Sequence, residues 1–202
     1  MAVIGISLND VIRSHTERIL HIYQKYNDEK FLLETSEVKS TNLLDYLKFK
    51  NLDELNNFLY IEAPLEIFGH AGIIQDGIIN ELNQFLLDID FDEEHEVVIV
   101  SKEVGKSIPA SLFFLSKLGC KVSNIQFTSK EEDVWKNVDV LITTTPLMIT
   151  SKPNGKVCIK INTPYNTQYD ADYTLDSISE FFRDEKLRNK MISNKIAEFQ
   201  EL

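Results

Sequence analysis

Val3-Ile4-Gly5-Ile6-Ser7-Leu8-Asn9-Asp10-Val11-Ile12 opens the chain with a short apolar run that ends at Ser7, with Asn9 and Asp10 just beyond. A continuous run of this length reads as a strand buried on both faces, the kind found inside a parallel sheet. From Asp10 to about Tyr26 the apolar residues Val11, Ile12, Ile19, Ile22 and Tyr23 recur at helical spacing, and Asn9 or Asp10 is placed to cap that helix.

Working outward, residues 28 to 72 carry no strand signal. Leu43, Leu44 and Leu47, then Leu52, Leu55, Phe58 and Leu59, predict short helices punctuated by Gly69 and Gly72. Ile78, Ile79, Leu82, Phe85 and Leu86 predict another helix. The second half changes character. Val97 to Val100 is an apolar strand ending at Ser101, and a helix follows from Pro109 to Leu118, with Gly119 past its end. Val122–Phe127, Asp139–Ile142 and Lys156–Ile161 are further strands, and a long helix from Leu175 to about Phe199 closes the chain. Strands alternating with helices imply right-handed βαβ units and a parallel sheet. The helical stretch after the first strand is too long for a simple crossover and reads as an inserted cap. The expected division is a core of residues 1–15 and 96–202 with a helical cap over 16–95.

With 202 residues, 43% of them hydrophobic, the chain supports one ordinary core plus a small insert. A net charge of -11 argues against a broad basic face for nucleic acid, since phosphates would be repelled. Cys120 and Cys158 sit in or after apolar runs, and no CxxC is present, so both read as small core residues rather than zinc ligands. No basic, apolar leader opens the sequence and no segment is apolar for long enough to span a bilayer, so the expectation is a cytoplasmic protein.

In a parallel sheet, function gathers at the C-terminal ends of the strands, here Ser7, Ser101, Phe127–Ser129, Thr143–Thr145 and Asn162. This arrangement resembles the haloacid-dehalogenase (HAD) superfamily, and within it the 5'(3')-deoxyribonucleotidase-like branch. The resemblance implies a three-layer α/β fold with a five-stranded parallel sheet in the order 5-4-1-2-3 and a small helical cap. In that family the first strand ends in Asp-x-Asp-Gly-Val, whose first Asp attacks phosphorus and whose second is general acid and base. Ser7 and Asn9 stand at those positions. Ser101 matches the phosphoryl-binding Ser or Thr after the second strand, and Lys130 is the best match to the lysine after the third. Thr143 and Thr144 replace the Asp-Asp that holds Mg²⁺ after the fourth. Thr163-Pro164-Tyr165-Asn166 matches the Pro-Tyr-Asn of nucleotidase-like members.

All four acids of the resembled motif are missing together. Hydroxyls and an amide keep some of a carboxylate's shape but not the charge that holds a hard dication, and Asn9 cannot serve as a general acid or base. Ser7 has no base beside it in sequence to make it a nucleophile. Alternative placements fare poorly. Asp88, Asp90 and Asp92 have Glu93 where a calcium loop needs Gly, and read as a solvated acidic turn. Gly105-Lys106-Ser107 has the form of a phosphate-loop ending, but Val100 stands where the earlier Gly belongs, so a helix-entry turn is the reading. His15, His21, His70 and His95 form no i, i+4 pair. Phe113-Phe114-Leu115 and Phe181-Phe182 read as core aromatics.

The resulting expectation is a catalytically inactive HAD-like protein with no catalytic residues, no metal and Mg²⁺ binding lost. Ser101 and Lys130 form a candidate anion site. The chain is expected to act as a structural or binding module, a bacteriophage virion or assembly component, located in the host cytoplasm or the virion, with other proteins of a large assembly as partners and no direct nucleic-acid or membrane contact. The alternative is an atypical phosphatase or 5'-nucleotidase acting on a small phosphate ester.

Overall fold

The computed structural model describes residues 2–27, 34–90, 95–130 and 133–196. Its centre is a six-stranded parallel sheet. In chain order the strands are β1 (Ala2–Ser7), β4 (His95–Lys102), β5 (Ile125–Thr128), β6 (Val140–Thr143), β7 (Val157–Ile161) and β8 (Tyr173–Leu175), arranged in space as β5-β4-β1-β6-β7-β8. The five strands expected from the sequence lie in the expected order. The sixth is not among the expected strands; only its last residue, Leu175, falls in the closing helix the sequence predicts. Its three residues pair with β7, Ile159 opposite Tyr173 and Ile161 opposite Leu175, too short a run to announce itself as a strand. Two further short strands, β2 (Arg13–Ser14) and β3 (Gly72–Ile73), form an antiparallel pair outside the sheet.

Strand alternation builds the layers. Ile4 and Ile6, Val97 and Ile99, Val140 and Ile142, and Val157, Ile159 and Ile161 face one side. There they meet helices α3 (Ile78–Asp90), α4 (Ser107–Lys117), α7 (Ile178–Arg183) and α8 (Glu185–Ile196). Val98, Val100, Leu141 and Cys158 face the other side, against α5 (Val134–Asn137) and α6 (Pro146–Thr150), where the Trp135 indole donates to Met148 O at 3.0 Å. The single long terminal helix expected from Leu175 is instead two helices. Ser177 and Glu180 cap α7 reciprocally, and Asp184 leaves helical geometry between α7 and α8. The expected acidic turn lies mostly outside the described residues: Asp88 and Asp90 end α3, and residues 91–94 are beyond it.

The stretch between β1 and β4 divides by packing. Helix α1 (His15–Asn27), α2 (Leu52–Asn57) and two π-helical turns, Phe58–Glu62 and Leu65–Gly69, enclose their own cluster around Tyr23, Leu55, Phe58 and Phe68. Helix α3, by contrast, packs with the sheet: Phe85 stacks on Phe182 and meets Phe181 edge-on. The π turn Leu65–Gly69 ends on carbonyls held by three cations: Arg18 Nε donates to Glu66 O at 2.8 Å, Arg13 Nη1 to Phe68 O at 3.0 Å, and Lys117 Nζ to Gly69 O at 2.7 Å. Cations at the carbonyl end of a helical turn are favourable, and these three come from both α1 and α4 sides. α1 starts five residues later than expected because the chain after Asn9 first makes a tight loop. Asp10 adopts the left-handed conformation at φ 56.

Gly5, in the middle of β1, has no room for a side chain. A Cβ there would lie 2.8 Å from Val138 Cγ1 and 3.1 Å from Leu141 Cδ1. Gly5→Ala is therefore expected to cost about 1–3 kcal/mol in urea unfolding, and Val138→Ala in the same chain to recover part of that loss by opening the space.

Candidate functional site

The C-terminal ends of β1, β4 and β6, roofed by the cap, enclose a cavity of about 220 Å³. Ser7, Asn9, His15, Ser101, Lys102, Thr145, Met148 and Tyr165 line it together with cap residues such as Leu43, Leu59 and Tyr60. The structure thus brings Ser7, Asn9 and Ser101 together. Thr143 lies beneath, accepting a 3.0 Å hydrogen bond from Ser7 Oγ. Thr144 Oγ1 reaches back to Asn9 O at 3.5 Å. Lys130 is exposed, is not part of the cavity lining, and donates its backbone N–H to Thr128 Oγ1; Lys102 is the lysine at the cavity. The backbone N–H after Ser7, which an anion would need, is spent on Val100 O at 2.9 Å.

Arg13 organises these strand ends, and the sequence reading missed it. Its side chain is wholly buried. Nε donates to Asn9 Oδ1 at 3.0 Å, and Nη2 donates to the same oxygen. Nη2 also pairs with Glu103 Oε1 at 2.5 Å, Nη1 reaches Ser111 Oγ at 2.5 Å, and the guanidinium lies over the rings of Phe68 and Phe114. Burial pulls the Arg13 pKa down from its ordinary value, and Glu103 opposes the shift. Glu103 Oε1 accepts from Ser101 Oγ as well, at 2.8 Å, while Oε2 is buried with no partner among the described residues. The signal that could have found the pair was Arg13 closing the otherwise apolar Val11-Ile12 run, four residues after Asn9, and Glu103 two residues past Ser101.

Asp10, the carboxylate next to Asn9, is a cap. Its Oδ1 accepts from His15 N at 2.8 Å and Thr16 N at 2.9 Å, and its Oδ2 accepts from Thr16 Oγ1 at 2.5 Å and from Tyr165 Oη at 3.1 Å. Burial, reinforced by the Asp10 charge, pushes the Tyr165 phenol well above its ordinary range. Asn166, next in that motif, is fully buried and ties three backbone groups: Nδ2 donates to Thr144 O and Ile161 O, and Oδ1 accepts from Thr163 N. His15, whose Nδ1 is buried without a partner among the described residues, is held neutral by burial and by the nearby Arg13 charge.

The groups at this site do not suit a hard dication. Ser7, Thr143 and Thr144 supply neutral hydroxyls, and the one amide oxygen, Asn9 Oδ1, is taken by a guanidinium. A cation placed there would meet the Arg13 charge, and the carboxylate beside it, Glu103, is already engaged by that guanidinium and by Ser101. Among the described residues no three His, Cys, Asp or Glu side chains are grouped to hold a metal ion.

No family model and no curated protein matches the sequence. Solved structures do match the fold. A haloacid dehalogenase-like hydrolase of Burkholderia xenovorans LB400 superposes with a TM-score of 0.58 at 12% identity, over 91% of this chain and 95% of that one. The HAD-hydrolase YfnB of Bacillus subtilis, in a magnesium-bound form, gives 0.53 at 12% over 90% and 96%, and a hydrolase of the same type from Xanthomonas campestris 0.50 at 10% over 96% and 97%. The fold is HAD-like. At such identities the match concerns the HAD-like architecture alone, and no helix among the described residues is long and apolar enough to cross a membrane.

Two measurements follow from this geometry. Arg13→Met strands Glu103 as a buried, uncompensated charge, so a loss of about 3–5 kcal/mol in chemical unfolding is expected, with Arg13→Met/Glu103→Leu recovering part of it. The neutral His15 sets a pH dependence. Because its folded-state pKa lies below 6.5, the unfolded chain takes up a proton first as pH falls. Stability should be fully present above 6.5 and decline below it, and His15→Phe should flatten the onset of that decline in unfolding curves collected at stepped pH.

Proposed function

We propose that this chain is a non-catalytic HAD-like protein that serves as a binding or structural module for other proteins. One observation carries the reading: the buried Arg13–Glu103 pair engages both Asn9 Oδ1 and Ser101 Oγ, the groups left at the acid/base and phosphoryl-binding positions of the resembled motif. A phosphoryl group entering there would meet the Glu103 carboxylate, and hydrolysis would lack an attacking carboxylate, a proton donor and an offsetting cation. Tyr165 and Asn166, the residues behind the likeness to the nucleotidase branch, support a nucleotidase-like ancestry in which that motif now braces the scaffold. We place the protein partners in a large assembly, with a bacteriophage particle as the proposed setting.

The cavity over Ser7 and Ser101, in a fold shared with hydrolases, favours one second reading: an atypical phosphatase or 5'-nucleotidase for a small phosphate ester. The two separate in one assay. Purified protein should release no phosphate above a buffer blank from an aryl phosphate or from deoxyribonucleoside monophosphates, with or without Mg²⁺, and should give no calorimetric heat of Mg²⁺ binding. Mg²⁺-dependent turnover lost in Ser7→Ala would establish the second reading and end the first.

A further inference from the structure

Four hydroxyls that line the cavity over Ser7 and Ser101 have already given their protons to the protein. Ser7 donates to Thr143 at 3.0 Å, Ser101 to Glu103 at 2.8 Å, and Thr16 and Tyr165 to Asp10 at 2.5 and 3.1 Å. A hydroxyl carries one proton and two lone pairs, so each of these oxygens can now only accept. Asn9 offers the opposite. Arg13 has donors alone, so its two bonds to Asn9 Oδ1 settle which end of that amide is the oxygen. The Nδ2 end keeps two N–H groups with no partner among the described residues. Thr145, also in the lining, makes no side-chain cap bond to the helix it precedes.

Charge and size narrow the ligand that such a lining takes. Among the described residues no Asp or Glu lines the cavity, so an ammonium group would meet Lys102 without a carboxylate to offset it. A carboxylate or phosphate would gain Lys102 but bring only acceptor oxygens against the lone pairs of Ser7, Ser101, Thr16 and Tyr165. A primary carboxamide is uncharged and does both jobs: its N–H groups suit those oxygens and its carbonyl suits Asn9 Nδ2. The apolar part of the lining, Ile19, Val38, Leu43, Leu59 and Met148, suits a ring. A volume of about 220 Å³ is below the roughly 300–1,000 Å³ of pockets for drug-sized ligands, and so admits one ring with a short polar arm. We propose that this cavity binds an uncharged, single-ring primary carboxamide. The proposal rests on the non-catalytic reading of the site, in which the protons of Ser7 and Ser101 are held by the protein.

Three probes of nearly one shape test this by NMR titration of the full chain: benzamide, acetophenone, which accepts but does not donate, and benzoate, which is an anion. Benzamide should give saturable shifts at the Asn9 side-chain NH₂ and at the Ser101 and Thr145 amides. Acetophenone and benzoate should each bind at least about tenfold more weakly, the cost of a hydrogen bond that is not made. Leu43→Trp, which fills the apolar part of the cavity from a half-buried position in the cap, should abolish the benzamide shifts while the circular dichroism melt is retained. Benzoate binding as tightly as benzamide would make this an anion site, and acetophenone doing so would make it a plain apolar slot. Either result, no saturable benzamide shift, or shifts that survive Leu43→Trp would overturn the proposal. Phosphate release in the assay above would end the non-catalytic reading, whereas failure of benzamide to bind a chain that releases no phosphate would end this proposal alone.

Discussion

The buried ion pair between Arg13 and Glu103 is the constraint around which the rest of this molecule is arranged. Both side chains are closed off from solvent, 2.5 Å apart. Taking two charges out of water is costly, and their attraction repays it only when the remaining hydrogen-bonding capacity is also used. Arg13 uses nearly all of its capacity, on the Asn9 amide, Ser111 and the Phe68 carbonyl, with two aromatic rings against its faces. Those contacts reach the loop after β1, the helix after β4 and the last turn of the cap. One side chain therefore determines where three separate elements meet.

That arrangement also decides what the strand ends can do. Here the positive charge is already present, covalently attached to the chain, and its anion is Glu103. The remaining polar groups are engaged inward: Ser101 to Glu103, Ser7 to Thr143, Asn9 to Arg13. The nearest other carboxylate, Asp10, caps α1 and receives the Tyr165 hydroxyl, so it too has a structural task. The cavity above these groups has a floor that is hydrogen-bonded to itself.

The cap is bound to the core by the same logic. Cations from the β1–α1 region and from α4 converge on successive carbonyls of the Leu65–Gly69 turn, and Gly69 lets that turn approach α4 so closely that Leu65 and Phe113 fill the space where its side chain would be.

By itself the sequence determined the parallel sheet, because uninterrupted apolar strands separated by helical periods leave few right-handed arrangements, and because strand alternation assigns Ile4 and Ile6 to one layer and Gly5 to the other; the strand order was what the family resemblance implied. It also determined that Ser7, Thr143 and Thr144 bring hydroxyls and Asn9 an amide to the strand ends, since residue identity is local. Only the tertiary structure decided what those groups do. Arg13 and Glu103 are 90 residues apart, and each looks like an ordinary surface charge until the fold removes both from water. The edge strand at Tyr173 and the break at Asp184 were hidden for a related reason: a three-residue strand has almost no periodicity of its own and exists because β7 offers it an open edge. Phe113 reads as core by composition. On α4 it is Phe114 and Leu115 that turn toward the sheet, while Leu112 and Phe113, a part-turn round the helix, are exposed.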